Sequence, residues 1–182
     1  MNKSNSGAVF ILVVMVCFGS LSVLADTAES RYQVNDIQRN VYKSGDFGLG
    51  LMFGSTSGIT AKIWANEINA LDLGIAFQDS NTAVMADYLW HWRGAFTPSA
   101  NDRVASAFVP YAGVGAIAAF GGNNFFYHNL QAFGFGARVP VGMEFLPRGL
   151  PFGLFIELDP GVGFVPDMFT FVEGNIGGRY YF

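Results

Sequence analysis

The chain has 182 residues, a formal net charge of −4, 13% charged residues, 16% aromatic residues and 23 glycines. Soluble domains carry about 25% charged residues, so this composition speaks against an ordinary soluble enzyme, and its acidic balance gives no reason to expect nucleic acid binding. The one cysteine, Cys17, leaves no pair for a disulfide and no set for a cysteine-ligated metal.

In chain order, Lys3 gives a positive start, Ala8 to Phe18 is an apolar run, and Val23-Leu24-Ala25 sets small or apolar residues before an expected cut near Ala25. The run is too short to cross a bilayer, so residues 1–25 read as a secretory signal peptide. Cys17 lies inside it, and the bulk of Val16 argues against a lipoprotein cleavage site. Residues 26–45 are polar, with Arg31, Arg39 and Lys43 against Asp26, Glu29 and Asp36, and read as a periplasmic N-terminal tail.

Residues 46–182 then fall into eight alternating segments, roughly 46–54, 58–66, 69–78, 82–93, 107–120, 131–145, 151–164 and 168–182. A strand's side chains alternate between faces, and nine to eleven residues suffice for a tilted strand to cross the hydrocarbon. The sixth segment sets Phe133, Phe135, Ala137, Val139, Val141, Met143 and Phe145 against Gly134, Gly136, Arg138, Pro140, Gly142 and Glu144. The seventh sets Phe152, Leu154, Ile156 and Leu158 against Gly153, Phe155, Glu157 and Asp159. The polar face is rich in glycine and poor in charge, which suits a narrow lumen better than a solvated exterior. The pattern predicts an all-β, eight-stranded, antiparallel up-and-down transmembrane β-barrel over residues 46–182, with the apolar face toward lipid. An even strand number puts both termini on the periplasmic side, so the longest connection, 94–106, also faces the periplasm, and the outward loops are short.

Aromatic residues near strand ends mark the membrane interfaces: Tyr88, Trp90 and Trp92 on the fourth strand, Tyr180 and Phe182 on the last. The third outward loop carries Phe125, Phe126 and Tyr127, which could contact lipopolysaccharide or a partner, or fold back over the barrel mouth. The last strand ends on Phe182, an ending similar to the C-terminal signal of bacterial outer-membrane barrels, which implies recognition of that strand by the barrel-assembly machinery.

Lys62, Asp72, Asp87, His91, Arg93, Arg138, Glu144, Glu157, Asp159, Glu173 and Arg179 project inward on this pattern. Charges confined in so narrow a lumen need partners, which predicts a structural network of ion pairs and hydrogen bonds. Arg138, Glu157 and Arg179, on three consecutive strands near mid-height, are its expected centre. Asp87 and His91, four apart on one strand, are separated by roughly 13 Å, too far for an orienting bond. No serine falls convincingly near His91, so a catalytic triad has little support, and no metal or cofactor is expected.

Gly48-Leu-Gly-Leu51, Ser57-Gly-Ile-Thr-Ala-Lys-Ile-Trp64, Asn69-Ala-Leu-Asp72, Ala86-Asp-Tyr-Leu-Trp-His91, Arg138-Val-Pro-Val-Gly-Met-Glu144, Leu154-Phe-Ile-Glu-Leu-Asp-Pro160 and Gly177-Gly-Arg-Tyr-Tyr-Phe182 follow one another through the barrel. In this ordered set the chain resembles a family of small outer-membrane β-barrel proteins of unknown function found in spirochaetes and deltaproteobacteria. Where that family more often has Pro-Thr-Gly, this chain has Ser55-Thr-Ser-Gly58. The resemblance implies a barrel like the membrane domain of OmpA, with no established activity, and places Lys62, Asp87, His91, Arg138, Glu144 and Glu157 at the family's polar inward positions. The expectation is a monomeric outer-membrane barrel with a plugged polar interior, lipid and lipopolysaccharide as its surroundings, and a structural or interaction role without catalysis. A narrow pore, or an enzyme modifying lipid A, is the alternative.

Overall fold

The computed structural model describes residues 46–182 apart from 79–80, 97–103, 122–123, 126–127, 130–132 and 148–149. The expected signal peptide and tail, and Phe126 and Tyr127, lie outside the described residues.

The strands are β1 (Phe47–Gly54), β2 (Ser57–Trp64), β3 (Asn69–Gln78), β4 (Asn81–His91), β5 (Phe108–Phe120), β6 (Asn124–Phe125), β7 (His128–Asn129), β8 (Phe133–Arg138), β9 (Val141–Phe145), β10 (Phe152–Val165) and β11 (Phe169–Tyr181). Each wall strand pairs antiparallel with the next in sequence, and β11 pairs with both β10 and β1, so the sheet closes. The short β6–β7 hairpin stands in the connection between β5 and β8.

Eight strands form the wall because β8 and β9 are one strand interrupted at Val139–Pro140. Ala112 faces Val141 and Gly115 faces Arg138, three residues on along both chains, so pairing stays in phase across the break. Proline has no N–H to give the ladder, and that missing donor interrupts the strand without a bulge.

The ladder also fixes the barrel's shear. The row of direct partners runs from Tyr181 through Gly48, Lys62, Asp72, Asp87, Gly115, Arg138 and Gly161 to Phe171. One circuit thus returns to β11 ten residues from its start. With strand spacing and rise of the usual size, eight strands staggered by ten tilt about 40° and enclose a cylinder about 8 Å in radius at the backbone. Side chains fill such a cylinder.

Alternation does the rest. Leu49, Leu51, Leu71, Leu73, Leu154, Ile156 and Ile176 stand exposed on the outer wall, and the residues between them are buried within. Phe47, Tyr88, Trp90, Phe108, Phe152, Tyr180 and Phe182 ring the outside at the end that carries the barrel's termini, while Phe77, Phe120, Phe133 and Phe164 stand near the opposite rim. Tyr88 packs edge-on against Trp90, and Tyr180 against Phe182, each at 5.1 Å between ring centres.

Two positions depart from the sequence expectation. Trp92, expected at the outer interface, is only 8% exposed, and Arg93, expected in the lumen wall, lies past the end of β4 at the rim, its Nε 2.5 Å from the Glu67 carbonyl oxygen and its guanidinium 4.6 Å from the centre of the buried Trp64 ring. The cause is shared: β4 ends at His91 and the chain turns over Arg93–Phe96, so alternation stops governing where side chains point.

Candidate functional site

The lumen is filled by two apolar clusters and a set of ionised side chains. Nearest the termini, Trp64, Ala70, Val109, Leu146 and Tyr181 form a buried, mostly apolar cluster. A second, Met52, Ala76, Ala83, Met85, Ile117, Ala119, Phe155, Phe169 and Phe171, begins at Phe155 beside Glu144 and extends toward the opposite end. The ionised side chains are packed with and between them, and all of Lys62, Asp72, Asp87, Arg138, Glu144, Glu157, Asp159, Glu173 and Arg179 are buried.

On the terminal side, Glu144 is the hub. Its carboxylate accepts from Lys62 Nζ at 2.7 Å and from the Tyr181 hydroxyl at 2.7 Å, with Arg179 Nη1 at 3.5 Å. His91 joins this group: Nδ1 lies 3.2 Å from the Ile68 carbonyl oxygen and Nε2 lies 3.2 Å from Lys62 Nζ. A ring that donates from Nδ1 to the carbonyl keeps a lone pair on Nε2 to accept from the ammonium. The imidazole also packs 4.4 Å from the Trp64 ring.

Beside it, Arg179 holds Asp72 at 2.5 Å and donates to Thr60 Oγ1 at 2.8 and 3.1 Å, while the Thr60 hydroxyl donates to Asp72 at 3.1 Å. Its guanidinium lies 4.0 Å from the centre of the Phe155 ring, which covers its face.

Further toward the opposite end, Arg138 makes a two-pronged pair with Asp87 through Nε, at 2.8 Å, and Nη2. Glu157, Asp159 and Glu173 surround the same guanidinium at 4.0, 3.6 and 3.5 Å, distances of ion pairs rather than hydrogen bonds. Glu157 instead accepts from the Tyr111 hydroxyl at 2.7 Å, and Asp159 from Asn175 Nδ2 at 3.2 Å. One guanidinium therefore serves four carboxylates, whereas Lys62 and Arg179 serve Glu144 and Asp72.

The structure divides the expected network into two centres, Arg138 and Arg179, and Glu157 sits on the margin of the first. Sequence reasoning omitted Tyr111, Thr60 and Tyr181 from the site because neutral hydroxyls give no signal among inward positions, although each bonds a buried carboxylate. Asp87 and His91 belong to different centres. Among the described residues no three His, Cys, Asp or Glu side chains are placed to hold a metal ion.

Comparison of sequences finds no matching family and no matching curated protein. Among solved structures, the chain is similar to the crystal structure of the N-terminal β-barrel domain of Pseudomonas aeruginosa OprF. The TM-score is 0.52 at 13% sequence identity, over 75% of this chain and 96% of that one. The shared property is the fold, a β-barrel.

Proposed function

We propose that this protein is an outer-membrane β-barrel whose sealed, ion-paired interior makes it a structural or interacting element of the membrane, with neither a conduit nor a catalytic centre. The observation that carries this proposal is the packing of the lumen. The charged groups are paired with one another, and apolar clusters lie toward both ends of the barrel. A conduit needs a continuous polar path, and the packed Met52, Met85, Ile117 and Phe171 interrupt one. Membrane placement is supported by the apolar outer wall, by the aromatic side chains at both rims, and by likeness of fold to the OprF barrel domain. On this proposal the barrel is monomeric, lipid and lipopolysaccharide surround it, Phe182 closes the strand that the assembly machinery recognises, and cleavage near Ala25 releases the exported chain.

The test is electrical. Purified barrel reconstituted in planar bilayers is expected to be silent, and to run faster on a gel unboiled than boiled. Discrete conductance steps in the unmodified protein would refute the seal, and steps altered by Arg138→Ala would favour the pore instead.

A further inference from the structure

The wall is not equally tall all round. β1 and β2 have eight residues each, and at a tilt of about 40° such a strand rises only about 18 Å, short of the roughly 25 Å apolar band of an outer-membrane barrel. Pairing of β1 with β11 stops at Gly54 opposite Asn175, while β11 continues six residues further, to Phe169, or about 15 Å along the axis. Gly54 has φ +149°, and a Cβ there would lie 2.1 Å from the Gly174 carbonyl oxygen, so the chain turns away tightly at this point. Ser55 closes the seam, donating its N–H to Gly174 O at 2.9 Å and accepting from Gly174 N at 3.0 Å through its hydroxyl.

Above that seam, among the described residues, the β1-facing edge of β11 is open. Tyr181 N–H bonds toward β10 and Phe182 N–H toward β1, so odd-numbered residues of β11 turn their amides to β10 and even-numbered ones to β1. Thr170 and Val172 therefore present N–H and C=O groups where β1 has ended, with no hydrogen-bond partner there among the described residues. The Val172 side chain points outward and is 67% exposed. Unpaired backbone groups do not persist against acyl chains.

We infer that the bilayer is thinned at this notch, so that phospholipid headgroups and their water reach down to the β1–β2 turn and solvate Thr170 and Val172. An aromatic marker agrees independently: Phe53, exposed one residue before Gly54, stands beside Ile176, well below the top of β11. Interfacial aromatics sit at headgroup level, and here that level has descended with the rim. Acyl tails could not meet the edge, because it offers donors and acceptors alternately, and water meets both.

This inference rests on the membrane placement proposed above, and its test separates the two. Nitroxide labels at Val172→Cys, Val84→Cys and Leu51→Cys, in nanodiscs of phosphatidylethanolamine and phosphatidylglycerol, report collision with oxygen and with a water-soluble nickel chelate. Val84 is paired on both sides, with Ile75 and Ala118, at a height close to that of Val172. The nickel collision rate at Val172→Cys is expected to exceed that at Val84→Cys several-fold, with Leu51→Cys oxygen-dominated. In the unsubstituted barrel, the amides of Thr170 and Val172 should exchange with deuterium while that of Val84 stays protected. An oxygen-dominated label at Val172→Cys, or protected Thr170 and Val172 amides (as an added peptide strand would give), overturns the thinning. Nickel contact at all three sites overturns the membrane placement itself.

Discussion

Removing Arg138 tests the central claim, that the lumen is held by charge pairing around too few cations. Arg138→Met keeps most of the side chain's volume and deletes the guanidinium that, among the described residues, pairs with Asp87, Glu157, Asp159 and Glu173. Breaking a buried ion pair by removing one partner costs about 3–5 kcal/mol, because the remaining charge is left without compensation. Asp87→Asn is gentler, since it removes one of four carboxylates and leaves Arg138 near the other three, at the cost of charge-assisted hydrogen bonds worth about 1.5–3 kcal/mol. Urea unfolding in detergent micelles, followed by tryptophan emission and by gel mobility of unboiled samples, reads both. With a slope of about 2 kcal/mol per molar, Arg138→Met should lower the midpoint by about 2 M and Asp87→Asn by about half as much. The order is the decisive feature. If Asp87→Asn destabilises as much as Arg138→Met, or if Arg138→Met costs under about 1 kcal/mol, the pair is incidental and the pairing argument fails.

Gly115 lies opposite Asp87, and a Cβ there would approach Asp87 Oδ1 to 1.8 Å and the Ala86 carbonyl oxygen to 2.6 Å. Gly115→Ala should therefore push Asp87 off Arg138 and cost about 1–3 kcal/mol, measured by the same unfolding curve. The three tryptophans should respond differently to brominated lipid: Trp90, on the outer wall, should be quenched, whereas buried Trp64 and Trp92 should be nearly indifferent, as single-tryptophan variants would report. Equal quenching of Trp90 and Trp64 would contradict the assignment of the two faces. Lys62→Met leaves Glu144 dependent on Tyr181 and Arg179 and removes the donor to His91, so it should cost about 3–5 kcal/mol. Adding Glu144→Gln to that variant should recover part of the loss, and a double-mutant cycle in micelles would show the coupling.

Much of the architecture was legible in the chain because a strand's period of two is a local property. Strands such as Phe152–Val165 and Asn69–Gln78 announce their two faces residue by residue, and no distant contact is needed to place Leu154 outside and Glu157 inside. Local pattern failed where the ladder ends. Trp92 and Arg93 continue the alternation of β4 in sequence, but the chain leaves the sheet after His91, and only the turn decides their direction. Pro140 likewise reads as one inward residue in a long strand, while its effect on the ladder requires a neighbour whose carbonyl it cannot serve.

Eight wall strands, their antiparallel order and the division of side chains between wall and lumen were already written in the chain, since each follows from composition and spacing within a few residues. Tertiary structure alone decided which lumen charges meet. It pairs Asp87 with Gly115 and Gly115 with Arg138, which brings Arg138 of β8 against Asp87 of β4, and by closing the barrel it sets Lys62 of β2 against Glu144 of β9. It also decided that β11 outruns β1 by half its length. Both depend on the register between strands, which no single strand carries.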